Sequence, residues 1–503
     1  MNLEKSIVLG KKVFKNLAFC DIIYGTNTKI YTKRRFLTMS IVSQNSENEN
    51  RFKFTVDYFF KQARIGSFLK QSNAGKQKGI PCFSVFRFLF IMIFTGKNLY
   101  MTLENQDNSA AFGKDVAYRF LNSIYTNWRR FLFLLSSFTI KNSIEELTDE
   151  DRVNVLIVDD SFYARMRSKS VELLSWVHDH AEKGKKKCKK GFKMLTLGWS
   201  DGNTFIPVAF QLLCSRDPKK RLCQMNDTID KRTAGYKRRA EAMKKAPEVM
   251  LGMIKEAIDS GINASYLLFD SWFCHTCTLL NVSKLGLHTI AMMKKTQKEH
   301  FRFNGKAMDV KQIYKSIRKR PGRSKYLASV VVEVFNNRGE CIPAKIVYVR
   351  DRTNRKKWLA LISTDTTLNE EEIIRIYGKR WDIEVFFKMC KSYLCLAKEF
   401  QGRSYDMMVA HTTIVFSRYI MLSVENRNNK DLRTFGPLFH CCCDELQDIK
   451  YLEAMQIIID VLKHAMQEKL FLSKQQISEF IEYFMSSLPT YIKEKLMLCS
   501  CES

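Results

Sequence analysis

The sequence predicts an α/β fold: a mixed sheet carrying a β-rich insertion, with helical regions on either side of it along the chain. Three observations predict this. Apolar residues recur at helical spacing from near Phe52 to about residue 150, and again from Asn369 onward. Between 153 and 293, short β-branched runs alternate with helical segments, and between 296 and 366 the β character becomes nearly continuous. A chain of 503 residues is also long enough to divide into several domains around a large core.

The elements follow in order. Residues 1–45 read as a basic extension, patternless to residue 38, with Met39 as an alternative start and the polar linker SQNSENEN after it. Residues 46–150 read as a helical DNA-binding region, because basic and aromatic residues interleave in FRFLF and YRFLNSIYTNWRRFLF. Within it, Phe83 to Gly96 is apolar for about 14 residues where a membrane span needs about 20, and Arg87 interrupts it, so a buried helix is expected. The catalytic core begins at 151 and its first part runs to 295. Val153 to Val158 is a buried strand delivering Asp159 and Asp160 at its C-terminal end. A hairpin follows, Phe192 to Trp199 and Thr204 to Leu213, turning at Ser200-Asp201-Gly202-Asn203. One long helix, about Tyr236 to Ser260, leads to a strand from Ala264 to Phe269 that ends in Asp270. A helix, about Trp272 to Leu285, and a strand, Leu287 to Met293, complete this part. Strand, hairpin, helix, strand, helix, strand is the order of a ribonuclease-H-like mixed sheet. Residues 296–366 (SVVVEVF, the turn NNRG, IPAKIVYVR, WLALIST) form the β-rich insertion, 367–400 return to the core with a helix carrying Glu384, and 401–503 are a C-terminal helical region.

Charge narrows the function. Lys and Arg number 82 against 52 Asp and Glu, a net charge of +30 spread along the chain. Such an excess favours a polyanion, because neutralising phosphates releases counterions. Double-stranded DNA is the expected partner, and neither a membrane nor a small-molecule substrate is. Fifteen cysteines in no regular spacing, with no secretory signal pattern, point to free thiols in a reducing cytoplasm.

The chemistry lies in carboxylates. At 100° per residue, Tyr377, Arg380, Glu384 and Lys391 share an arc of about 60°, with Lys388 beside it. Ile376, Ile383, Phe386, Phe387, Cys390 and Leu394 form the opposing apolar stripe. Arg380 and Glu384, four residues apart, also suit an ordinary helical ion pair. An aspartate at the end of the first strand, Asp270 at the end of a later parallel strand and Glu384 on a helix after the sheet together suit two Mg²⁺ ions. Such ions need oxygen ligands from several elements and open positions for water and phosphate. Arg380 and Lys391 would then hold phosphates of the same DNA end.

These residues carry a resemblance. Tyr377, two residues, Arg380, three residues, Glu384, six residues and Lys391 match without a gap the signature of the IS4-like DDE transposases of bacterial insertion sequences. LIVDDS, LLFDSW, the hairpin GFKMLTLGWSDGNTFIPVAF and the β-rich insertion before the glutamate are similar too, over roughly residues 80 to 400. The resemblance implies Mg²⁺-dependent cleavage at terminal inverted repeats and strand transfer by the freed 3′ hydroxyl, often through a DNA hairpin, with Mn²⁺ able to substitute. It implies Asp159 or Asp160, Asp270 and Glu384 as metal ligands, Asp159 being favoured because it stands two residues before Ser161. Tyr377, Arg380 and Lys391, with Lys388 beside them, would contact DNA, and a homodimer bridging two transposon ends would be the active form. A cytoplasmic bacterial protein, nucleoid-associated when bound to DNA, is implied.

Other signals are weaker. His178-Asp179-His180, Cys274-His275-Thr276-Cys277 and His440-Cys441-Cys442-Cys443 lack partner pairs at metal-site spacing. The lysine run 183–190 and KSIRKRPGRSK suit solvated loops or DNA contacts equally. Two rival functions stand beside the transposase: a DNA-binding derivative that no longer cuts, and a metal-dependent nuclease without strand transfer.

Overall fold

The computed structural model describes residues 55–76, 78–96, 112–148, 152–178, 188–321, 324–351, 354, 357–399, 402–428 and 435–489, and among these five α-helices precede the sheet. The basic extension and its linker lie outside the described residues, as do Asp179, His180 and residues 183–187. The helices are α1 (Thr55–Gln62), α2 (Ile65–Gln71), α3 (Cys82–Ile91), α4 (Lys114–Leu121) and α5 (Trp128–Thr139). Their apolar stripes meet in an aromatic cluster. Phe60 lies 4.9 Å from Phe90, ring centroid to ring centroid, and Phe86 lies 5.4 Å from Phe131. Each such ring contributes about 1.5–3 kcal/mol by leaving water. The apolar run at 83–96 is therefore core, α3 followed by a 3-10 turn at Met92–Thr95. Asn127 caps α5 by accepting a hydrogen bond from the Arg130 N–H at 3.0 Å.

Eleven strands among the described residues form one mixed sheet, flanked by helices. In chain order they are β1 (Val155–Ala164), β2 (Ser175–His178), β3 (Cys188–Ser200) and β4 (Phe205–Leu213). Helices α6 (Ala234–Ala242) and α7 (Ala246–Asp259) follow, then β5 (Tyr266–Phe269), α8 (Thr276–Ser283) and β6 (His288–Met292). β1, β5 and β6 are parallel neighbours, while β3 runs antiparallel to β1 and pairs with β4 as a hairpin. The inner strands read as continuous apolar runs because both faces are covered: all of β4 and β5 is buried. The next segment adds β7 (Phe301–Phe303), β8 (Lys306–Met308), α9 (Val310–Ser316), β9 (Ala328–Phe335), β10 (Cys341–Arg350) and β11 (Trp358–Ser363). These strands extend the same sheet, since β11 pairs antiparallel with β6.

Helices follow among the described residues: α10 (Glu370–Gly378), α11 (Trp381–Ser392), α12 (Tyr405–Asn428), α13 (Phe435–Lys469) and α14 (Lys474–Ser487). Among the described residues one helix, Tyr405–Arg427, is long and apolar enough to cross a membrane, yet 94% of that window is buried inside the protein. It is the central core helix, covering β4 and the N-terminal helices.

Several boundaries differ from expectation. The helix expected over 236–260 is two, α6 and α7, because Pro247 enters at the first turn of α7 and forces a break before it. The helix expected to run through Tyr377 to Lys391 is also two, with Lys379 and Arg380 in the turn between α10 and α11. Its apolar stripe survives the break, and Ile376, Ile383, Phe386, Phe387, Cys390 and Leu394 are all buried. β1 continues six residues past Val158, so Asp159 and Asp160 sit inside a strand whose parallel partner has ended.

Gly198 lies at a β-bulge where the β3–β4 register shifts, with the Phe205 ring packed against its Cα. A Cβ there would overlap that ring. Gly198→Ala is expected to destabilise the chain by about 1–3 kcal/mol, as overpacked cores do, and a urea midpoint unchanged from the parent would refute it.

Candidate active site

The end of the parallel ladder builds the site. Val158 and Phe269 are register partners on β1 and β5, so the next residues, Asp159 and Asp270, emerge side by side. Asp270 Oδ1 accepts a hydrogen bond from the Trp272 N–H at 2.8 Å, an Asx-type turn that fixes the chain as it leaves the strand. Asp159 Oδ1 accepts from the Asp160 N–H at 2.8 Å, and its Oδ2 takes Arg380 Nη1 at 3.0 Å. The other arm of the same guanidinium, Nη2, reaches Glu384 Oε1 at 2.5 Å. One arginine thus joins the first-strand aspartate to the helix glutamate. The i,i+4 pair of Arg380 and Glu384 is real, and the guanidinium extends it to the sheet.

Asp160 turns elsewhere, its Oδ2 lying 3.2 Å from Lys193 Nζ. Lys391 Nζ donates to Ser161 Oγ at 2.6 Å, bringing the last residue of the Tyr-Arg-Glu-Lys spacing to the same strand. Lys388 is exposed on α11. Tyr377 is partly buried beside Arg380, its ring centroid 6.0 Å from the guanidinium carbon, and burial foremost pushes its hydroxyl up to about 12. In the α10–α11 turn, Lys379 Nζ donates to the carbonyls of Val153 (2.6 Å) and Asp201 (3.1 Å). That lysine ties the start of β1, the β3–β4 turn and the glutamate helix together.

Electrostatics mark Asp159. Burial, first of all, raises its carboxyl to about 7; Asp270 and Asp160 add to the rise, while Arg380 and the Asp160 N–H oppose it. Burial works against the charge on Arg380, but Tyr377, Asp159 and Glu384 outweigh it and hold the guanidinium protonated. Asp382, on the far side of α11, is raised to about 6 by burial although Ser200 Oγ donates to it at 2.7 Å.

Carboxylate oxygens are the donors that hard divalent cations take. Asp159 and Asp270 fit such an ion, since two acids crowded side by side just past the end of the β1–β5 ladder repel one another and a cation between them relieves this. Glu384 faces Arg380, and among the described residues no three metal-ligating side chains converge closely enough to hold an ion as they stand. The thiol pairs are placed differently. Burial pushes Cys274 up to about 12, while Cys277 is exposed and His275 Nδ1 is 2.8 Å from Glu299 Oε1. Cys441, Cys442 and Cys443 lie on α13, and His178 ends β2.

The sequence reading overlooked Lys193, Lys379 and Trp272. Only Trp272 carried a signal, an aromatic residue two positions past a strand-end aspartate.

No curated protein matches the chain. A family model described as DDE superfamily endonuclease matches residues 94–356, a range that takes in Asp159 and Asp270 and stops short of Glu384. Because that match spans more than half of its length, the chain belongs to the DDE superfamily of endonucleases.

Proposed function

We propose that the chain is a DNA transposase of the IS4-like kind, which cleaves phosphodiester bonds at terminal inverted repeats and joins the 3′ ends to target DNA. One observation carries the reading: the Tyr-Arg-Glu-Lys spacing, more than 200 residues away in sequence, lies against the β1 aspartate Asp159, with Arg380 joined to both Asp159 and Glu384. The strand order β4-β3-β1-β5-β6, with β3 alone antiparallel to β1, supports a ribonuclease-H-like core at 151–295 and 367–400, into which 296–366 is inserted.

Asp159, Asp270 and Glu384 would hold two Mg²⁺ ions, or Mn²⁺ in their place. When bound, the ions supply Lewis acidity, activating the attacking hydroxyl and stabilising the leaving oxygen. Arg380 neutralises two of the three carboxylates in the metal-free chain, and its planar fork also matches a phosphate bidentately. Lys388 and Lys391, exposed one turn apart on α11, take backbone phosphates, and Tyr377 holds Arg380 from behind. Asp160, engaged by Lys193, serves the site through that lysine rather than as a ligand. Double-stranded DNA is the substrate, the helical region 46–150 adds contacts to it, and a homodimer holds two transposon ends.

The test is cleavage of a labelled duplex bearing the terminal repeat, with Mg²⁺ or Mn²⁺ against chelator. The intact chain is expected to cut at the repeat end and join the product to target, and Glu384→Gln to lose about 10³-fold or more in rate while still binding. Hydrolysis without joining would reassign the chain as a nuclease, and binding without cutting under any metal would leave a DNA-binding derivative.

A further inference from the structure

Next to Asp270 stands a feature that the carboxylate site does not use. Trp272 is 43% exposed, and its backbone N–H is bonded to Asp270. Two lysines approach the ring: Lys193 Nζ lies 4.9 Å and Lys294 Nζ 4.2 Å from its centroid. They come from separate elements, Lys193 from β3 and Lys294 from the segment just after β6. Like charges on long flexible stems ordinarily separate. Here the negative face of one indole gathers two ammonium groups, and the turn that fixes Asp270 also fixes the indole. Lys193 further spans from Trp272 to Asp160. An ammonium has three N–H donors, so contact with a ring and contact with a phosphate oxygen are compatible.

We infer that Lys193, Trp272 and Lys294 form a grip for the DNA backbone, with Trp272 the positioning residue that aims two ammonium groups at phosphates of the strand lying over Asp270. The inference rests on the DNA reading above. Binding energy comes from the lysines, and the indole restricts where they sit, so its removal weakens phosphate contact without altering the charge of the protein.

The experiment measures affinity of the full chain for the terminal-repeat duplex across a salt series, for the intact protein, Trp272→Ala, Trp272→Phe and Lys294→Gln, with thermal unfolding as the check on folding. Each lost phosphate contact lowers the slope of log K against log salt by about 0.9. Lys294→Gln is expected to lower it by about one such step, Trp272→Ala by one to two, and Trp272→Phe, which keeps a ring face, by less than Trp272→Ala. A Trp272→Ala slope equal to that of the intact chain overturns the inference, and weaker binding at that same slope means base stacking instead. If the intact chain shows no salt-dependent binding, the DNA reading itself fails and the grip with it; if it binds and cuts while the variants keep the slope, the grip alone fails.

Discussion

Asparagine at position 159 is expected to abolish DNA cleavage, by about 10³-fold or more, and in the metal-free chain to make the protein more stable at pH 8. Both effects come from one buried carboxyl. Its proton is held up to about 7 against an ordinary 3.8, chiefly by burial. The folded state therefore binds this proton more tightly than the unfolded chain does. The stability that proton contributes is fully present below the unfolded value of 3.8 and is lost as pH rises through about 7. Asparagine never ionises, so it escapes that loss while still accepting a hydrogen bond from Arg380. Between pH 5 and pH 8, with chelator present, the variant should gain about 2 kcal/mol on the parent. Urea unfolding at the two pH values measures this, and a difference independent of pH would sink it. Asp159 would then be a residue retained for function at a cost to the fold.

Replacing Arg418 with methionine is expected to cost about 3–5 kcal/mol, as breaking a buried ion pair does. Arg418 is fully buried on α12; its Nη1 and Nη2 meet Glu399 at 2.6 and 2.9 Å. Its Nε donates to the Phe90 carbonyl at 2.9 Å and its Nη2 to that of Leu89 at 2.6 Å, at the C-terminal end of α3 where carbonyls lack helical partners. Methionine would strand both those carbonyls and the charge on Glu399, which burial alone would raise and Arg418 and His411 hold down. Denaturant unfolding reads the loss, and a change below about 1 kcal/mol would show that the pair is idle. Adding Glu399→Leu should recover part of it, because no charge is then left unpaired.

How much of this was legible in the sequence depends on what each signal measures. Period carried the fold class: VNVLIV and the run ending at Phe269 became β1 and β5, and the alternation after residue 296 became β9, β10 and β11. Two breaks were marked and read through. Pro247 splits α6 from α7, and Gly378 ends α10 just before the turn that carries Arg380. Helical spacing brought Arg380 to Glu384 because that contact is local, but it held no information on Asp159, which reaches the same guanidinium across the fold. Strand β2 at Ser175–His178 was missed since four residues set no period, and the buried cations Arg239 and Arg418 look in sequence like any surface arginine. The split roles of neighbours Asp159 and Asp160 depend on which cation each meets, a tertiary fact.

The pairing of β11 with β6 has a consequence for synthesis. β6 is hydrogen-bonded to β5 on one side, and its other edge is satisfied by β11. Translation delivers that partner about 65 residues later, which at about 5–20 residues per second leaves the edge of a growing sheet open for several seconds. During that interval the nascent chain presents unpaired N–H and C=O groups to other emerging copies. The strand there, HTIAM, carries no acidic residue, lysine or arginine, while the lysines that follow it, Lys294, Lys295 and Lys298, place repelling charge beside the open edge.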